Sequence, residues 1–323
     1  TEGKDGKELL PSLFIEEVGS KNFSLTETGD FEKKHNPLKL LAPRTPIRLP
    51  VTETKYLQEL FFEQGFSVTA LNNYLRDPWE YFFGNLLRVP KAPTKSMLFG
   101  IAMHDAMHDL FERLGLGHKV DKAYLLSRFR HSLDRRPLSG TEYDEALEKG
   151  EYALSGYYEA NQNTFTPTLG NEFSIKVQFP IGDGESITLR GVLDKVESVS
   201  QNEVRVVDYK TGRVRSRNDI MGLTKTSTGD YMRQLVFYKL LLSYYENGKY
   251  SMTTGVIDFL EPDKNNKYHK EEFAVTDNHV EELASLICSS AKEILDLSFW
   301  DSICDPKKSH FCDLQELLKR SRS

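Results

Sequence analysis

Long apolar runs are missing from this 323-residue chain: no window approaches the ~18 consecutive apolar residues that a membrane span needs. The opening stretch TEGKDGKELLPS has no apolar core of the signal-peptide kind, so the expectation is a protein without membrane association. Cysteine is scarce as well. Cys288, Cys304 and Cys312 stand at spacings of 16 and 8, which gives neither a CxxC zinc pair nor an even disulfide framework, and a reducing, cytoplasmic setting is expected. An excess of positive charge is also absent: 42 Lys and Arg face 48 Asp and Glu, for a net charge of -6. That excludes a wholesale basic wrapper of nucleic acid. A local basic groove remains open, because the field that steers a phosphate backbone comes from nearby charges rather than from the sum.

What the chain does contain is a change of texture along its length. Residues 1–66 are polar and carry prolines at 11, 37, 43, 46 and 50, which predicts an extended arm or linker with one or two short helices. Residues 67–323 are expected to fold, with a helical part over 67–165 and a sheet with helices over 171–323. Asp77-Pro78-Trp79-Glu80 reads as a capped helix start. A second helix is predicted over 96–114. From Phe173 onward apolar residues alternate (173, 175, 177, 179; 187, 189; 204, 206), the pattern of strands, and further strands are expected near 252–260 and 271–275, with helices over 230–245 and 278–297. The order implies an α/β fold with a central mixed sheet flanked by helices.

Two strands, 187–196 and 204–210, are separated by a polar stretch that suits a hairpin. A turn centred on Gln201 makes cross-strand partners sum to 402, so Asp194 falls opposite Asp208 and Val192 opposite Lys210. Two carboxylates about 5 Å apart repel unless a proton or cation sits between them, and a hard divalent ion is the natural occupant. With a strand period of two, Lys210 projects beside Asp208 while Tyr209 points away. Acids, an activated water and a lysine suit phosphodiester hydrolysis; a surface ion pair at a strand end is the plainer reading of the same residues. Gln234 and Tyr238 share a helix face, either to meet substrate or as the polar border of an amphipathic helix. His104 and His108 form a His-x-x-x-His pair, but Asp105 stands where a zinc protease would need its glutamate, and no third ligand pattern is visible.

Four segments taken in order, Gly100-Ile-Ala-Met-His104, Gly191-Val-Leu-Asp194, Val207-Asp208-Tyr209-Lys210-Thr211-Gly212 and Gln234-Leu-Val-Phe-Tyr238, resemble the RecB-type nuclease domain of the PD-(D/E)xK superfamily over about residues 67–318. The resemblance implies Mg²⁺ or Mn²⁺ held by His104, Asp194, Asp208 and the Tyr209 backbone carbonyl, with Lys210 as the catalytic lysine and Gln234 and Tyr238 supporting it near the DNA. Glu8-Leu-Leu-Pro-Ser-Leu-Phe-Ile is similar to the stretch that precedes this nuclease in bacterial AddAB-type and UvrD-like helicase-nucleases. With the absence of an initial Met, it implies a helicase region upstream or in a partner subunit, in the bacterial cytoplasm.

The chain departs from relatives that carry a four-cysteine iron-sulfur cluster. Asp77, Ser309 and Leu318 stand at three ligand positions and only Cys312 survives, so no cluster is expected, and Cys312 is expected to be an ordinary thiol. The resulting expectation is a metal-dependent deoxyribonuclease, with a non-catalytic DNA-binding member of the fold as one alternative and a free-standing exonuclease or endonuclease as another. Between Lys210 and Lys225 the local net charge is +4, from Lys210, Arg213, Arg215, Arg217 and Lys225 against Asp219. Arg213, Arg215 and Arg217 are thus candidates to pair with phosphates of a single strand threaded to the site.

Overall fold

The computed structural model describes Asn22, residues 53–306 and residues 309–322. Apart from Asn22 and the stretch from 53 onward, the expected arm lies outside the described residues. Its last part is not a linker. Helix α1 (Thr54–Gln64) buries Leu57 and Phe61, a spacing that puts both on one helical face. Phe66 then lays its backbone along the sheet: its N–H donates to the Thr188 carbonyl at 2.7 Å, and its own carbonyl accepts from the Arg190 N–H at 3.0 Å. The folded unit therefore begins before residue 67, the average polarity of the first 60 residues having masked one short apolar stripe.

Helix α2 (Val68–Arg76) starts at Ser67, whose hydroxyl accepts from the Ala70 N–H. Helix α3 (Pro78–Tyr81) is capped by the Asp77 carboxylate as expected and continues as a π-helical turn over Phe82–Leu86. Then come α4 (Lys95–Gly115), α5 (Lys122–Leu133) and α6 (Gly140–Asn161), which form a helical layer. The sheet follows as β1 (Gly170–Gly182), β2 (Glu185–Ser198) and β3 (Glu203–Lys210), then α7 (Arg217–Ile220) and α8 (Asp230–Tyr244), then β4 (Ser251–Phe259) and β5 (Lys270–Ala274). Helices α9 (Asp277–Leu295) and α10 (Cys312–Arg322) complete it.

The five strands lie in chain order, antiparallel except for β3 and β4, which are parallel, so the sheet is mixed. A parallel pair needs a crossover, and α8 lies within that connection. The period of two then divides β3 between two cores. Val204 and Val206 pack with Leu235 and Phe237 of α8, whereas Val207 and Tyr209 pack with Leu110 and Phe111 of α4 on the other face.

One departure from regular pairing positions the site. β2 pairs with β1 along nearly its whole length, but with β3 only from Lys195↔Val207 to Ser198↔Val204. All these β2–β3 rungs sum to 402, the register read from the sequence, yet the ladder ends one rung short of Asp194 and Asp208, and the Val192–Lys210 rung does not form. Beyond that point β2 is bridged by Phe66 instead, and the two strands fork. The fork needs close helix approach, and two motif glycines provide it. A Cβ on Gly191 would lie 2.7 Å from Leu241 Cδ1 of α8, and one on Gly100 would lie 3.1 Å from Thr211 Oγ1 at the end of β3.

The C-terminal region corrects one expectation: Cys304 and Cys312 are joined in a disulfide, with Cα atoms 5.3 Å apart, and Cys288 is a free thiol. Eight residues of separation suffice because the chain doubles back before α10, where the Gln315 side chain bonds both the Ser302 carbonyl and the Cys304 N–H. Cysteine usage thus no longer argues for a reducing compartment. Asp77, Ser309 and Leu318 are all buried here. Asp77 caps Trp79 and accepts from the Asp305 N–H, and Trp79 packs on Phe82, Phe83, Phe299 and Trp300, so α3 is tied to the C-terminal region by packing and capping.

Candidate metal centre and hydrolytic site

Where β2 and β3 part, side chains from five elements converge. Asp194 uses its Oδ2 to accept the Tyr209 N–H at 2.8 Å, which explains why the ladder stops: the carboxylate takes the donor nearest the next rung. His104, on α4, places its Nδ1 3.4 Å from the same oxygen. Burial would lower the imidazole pKa, but hydrogen bonding and the charge of Asp194 outweigh it and raise His104 above its ordinary value.

A residue that sequence patterning did not single out joins them. Ligand atoms of His104, Glu172 and Asp194 all lie within 4.8 Å of one another. Glu172 sits between the rungs Asn171↔Lys195 and Phe173↔Leu193 of the β1–β2 ladder, opposite Asp194, with φ at +48°. A non-glycine residue in the left-handed region costs of order 1–3 kcal/mol, and such strain collects at functional sites. Partial desolvation, then the neighbouring Asp194 charge, raises the Glu172 carboxyl above its usual range. The Asp183-Gly184 turn marks the β1–β2 hairpin. A register shift between Pro180 and Gly182 then moves the pairing by one residue, and no sequence signal reveals it.

Asp208 stands apart from that trio. It is 1% exposed, and its Oδ1 accepts from Gln234 Nε2 at 2.7 Å and from the Tyr238 hydroxyl at 3.0 Å. Its Oδ2 lies 2.6 Å from Lys210 Nζ in an ion pair and has no second partner among the described residues, so a lone pair remains free in a buried position. Burial raises the Asp208 carboxyl above its ordinary value, against the opposing pull of Lys210. Lys210 is itself held above its ordinary value, because Asp208 more than offsets desolvation of the ammonium. Its Nζ also donates to Gln234 Oε1 at 2.6 Å, and Gln234 Nε2 donates to the Tyr238 oxygen at 2.5 Å. Tyr209 points to the opposite face, stacked on Phe111, as the period of two required.

Not every candidate residue converges. His108 is outside the ligand group, and Asp105 is bound by Ser132 and Arg136, so the His-x-x-x-His pair does not assemble a zinc site among the described residues. Arg215 lies over the Tyr231 ring at 4.3 Å, and Lys210 Nζ over the same ring at 4.5 Å, so this arginine borders the site. Arg217 is committed to β5: it pairs with Glu271, donates to the Glu272 carbonyl and covers Phe273. Arg213 is exposed on the same loop.

The donor set fits a divalent cation. Two carboxylates and an imidazole are grouped around one point, and a third carboxylate nearby has a buried oxygen whose one partner among the described residues is Lys210; oxygen donors suit Mg²⁺, and a mixed oxygen and nitrogen set suits Mn²⁺.

A mixed sheet with helices on both faces, carrying acids and a lysine where two strands fork, defines a nuclease-like fold, and the sequence pattern of the PD-(D/E)XK nuclease superfamily matches residues 65–316. The chain belongs to that superfamily. It is also 26% identical over 181 residues to one of the subunits of the ATP-dependent helicase/deoxyribonuclease of Streptococcus pyogenes serotype M6, a match covering 52% of this chain and 16% of that protein. Among solved structures, a protein from Eubacterium rectale provisionally described as an exonuclease is 12% identical with a TM-score of 0.42, covering 74% of this chain and 84% of that one. No described helix is long and apolar enough to cross a membrane.

Proposed function

We propose that this protein is a Mg²⁺- or Mn²⁺-dependent deoxyribonuclease that hydrolyses phosphodiester bonds at the fork between β2 and β3. The observation that carries the reading is the pairing of a three-ligand group, His104, Glu172 and Asp194, with the adjacent Asp208–Lys210 pair on the neighbouring strand. His104, Asp194, Asp208 and the Tyr209 carbonyl would hold the ion, with Glu172 as an added ligand. When bound, a divalent cation polarises the phosphoryl oxygen and makes water a stronger nucleophile.

The chain's own residues do the rest. Asp208 would hold the ion through the carboxylate that pairs with Lys210. The Lys210 ammonium, kept in place by Gln234 Oε1, is then positioned to offset negative charge growing on the phosphoryl group. Gln234 and Tyr238 fix the Asp208 carboxylate through its Oδ1, so Oδ2, which pairs with Lys210, is the oxygen that would ligate the cation. Arg213 and Arg215 would pair with phosphates beside the site, while Arg217 holds the loop to β5.

The S. pyogenes relative supports a role beside a helicase, in the same chain or in a partner subunit, processing broken DNA. The direct test is a gel assay on linear single-stranded and duplex DNA with Mg²⁺, Mn²⁺ or EDTA. Cleavage that requires either cation is the expected result. Binding without cleavage under any cation would instead make the protein a non-catalytic DNA-binding member of the fold.

A further inference from the structure

Beyond the hydrolytic centre, a groove of about 450 Å³ opens beside Gln234 and Tyr238 and runs onto the β1–β2 hairpin, past the start of α2. Its far wall carries Lys176 and Arg190, and these two residues are direct cross-strand partners. Like charges placed opposite each other in an antiparallel ladder destabilise it. No ion pair or side-chain hydrogen bond to either cation is present among the described residues. By contrast, the next rung but one outward, Gln178 opposite Thr188, closes its own hydrogen bond at 3.0 Å. A cationic rung with no acidic partner among the described residues, with Lys176 exposed and lining a groove continuous with the site, is open to an anion from outside.

Placement identifies that anion. From the Glu172–Asp194 position to the Lys176–Arg190 rung is four residues of strand, about 13 Å, a span of a few nucleotides. Ser174 and Val192 form a rung between, and Val192 is 44% exposed, offering an apolar surface to a sugar or base. The Val68 and Thr69 end of α2 closes the other side, where a helix start favours negative charge. The Arg213 and Arg215 loop leaves β3 directly after Lys210, so the site has a cationic approach at each end.

We infer that Lys176 and Arg190 form a phosphate-binding rung that holds the nucleic-acid strand a few nucleotides from the scissile bond, on the hairpin side of the site. The inference rests on the deoxyribonuclease reading, and the experiment separates the two. Parent and Lys176→Ala/Arg190→Ala protein are compared in two assays. The first is fluorescence anisotropy with labelled (dT)20 in EDTA at rising NaCl. The second is Mg²⁺-dependent hydrolysis of thymidine 5′-(p-nitrophenyl phosphate), which occupies the scissile position alone.

The expected result is about a three- to tenfold rise in the (dT)20 Kd, with the salt slope flattened by about 1.4 for two lost phosphate contacts. Turnover of the small ester is expected to be unchanged. A Gln178→Ala/Thr188→Ala protein, altered further out on the same hairpin, should bind as the parent does. Equal Kd and equal slope for the Lys176 and Arg190 variant would overturn the inference. So would loss of small-ester turnover in proportion to the loss of binding, since the rung would then belong to the hydrolytic centre or to the fold. A parent inactive on both the ester and DNA would fail the deoxyribonuclease reading alone, the anisotropy still deciding the rung.

Discussion

Asp208 is pulled in two directions: its Oδ1 is anchored by Gln234 and Tyr238, while its Oδ2 faces both Lys210 and a buried position with a spare lone pair. Removing the carboxylate strands a lysine side chain that is only 16% exposed. Asp208→Ala is therefore expected to destabilise the metal-free protein by about 1–3 kcal/mol, less than the 3–5 typical of a fully buried pair, as read by urea unfolding. Carboxylate repulsion alone would have suggested the opposite sign, and an Asp208→Ala protein more stable than the parent would show that repulsion dominates. Glu172 has its own test: Glu172→Gln should weaken Mn²⁺ binding, measured calorimetrically, by about tenfold or more, and unchanged affinity would remove it from the ligand set. Asp194, Asp208 and Lys210 were picked out by counting from a two-residue period and a hairpin turn, although the ladder stops one rung before Asp194 and Asp208. Glu172 was not, because its rung depends on a bulge that shifts register without any marker in composition.

Among the elements, the strands were legible to within a few residues because alternation is a local signal, and the register of β2 on β3 followed from the turn. The early end of that ladder was not, since the Asp194 carboxylate takes the Tyr209 N–H where the next rung would form, and further along Phe66, far away in sequence, occupies the β2 edge. On the face away from the site, β2 carries a buried ion cluster in which Glu197 takes Lys195 at 2.6 Å and Arg205 at 2.6 Å. Burial would raise the Glu197 pKa, but the two cations overcome it, and the folded value lies below the ordinary one. A depressed carboxylate pKa contributes stability that is fully present above the unfolded value of about 4.3 and is lost as pH falls through the folded value. Glu197→Gln should lose about 2–4 kcal/mol at pH 7 and also lose this acid-limb dependence. A variant whose urea midpoint tracks the parent from pH 7 to pH 3 would contradict the assignment.

For the whole molecule, the sequence correctly implied a mixed sheet between helical layers, whereas the way the C-terminus is fastened was hidden. Cysteine spacing alone does not reveal that residues 304 and 312 meet; that depends on the chain reversal before α10. Closing so short a loop is worth roughly 2–3 kcal/mol by chain entropy. Cys304→Ser/Cys312→Ser should unfold at correspondingly lower urea in non-reducing buffer, with cleavage per folded molecule unchanged. Identical midpoints would mean that the disulfide does not form in solution. The same region should yield a colourless protein, since Asp77, Ser309 and Leu318 supply no thiolates; stoichiometric iron with a broad band near ~400 nm would contradict this. Whether a single cation-dependent hydrolytic site lies at the β2–β3 fork is decided by titrating Mg²⁺ into parent, Asp208→Asn and Lys210→Met proteins on the same end-labelled DNA. Cation-dependent cleavage by the parent is expected, with a loss of at least about 10³-fold in both variants, as when transition-state charge stabilisation is removed. Cleavage by Asp208→Asn at the parent rate, or by the parent in EDTA, would overturn the assignment of the site.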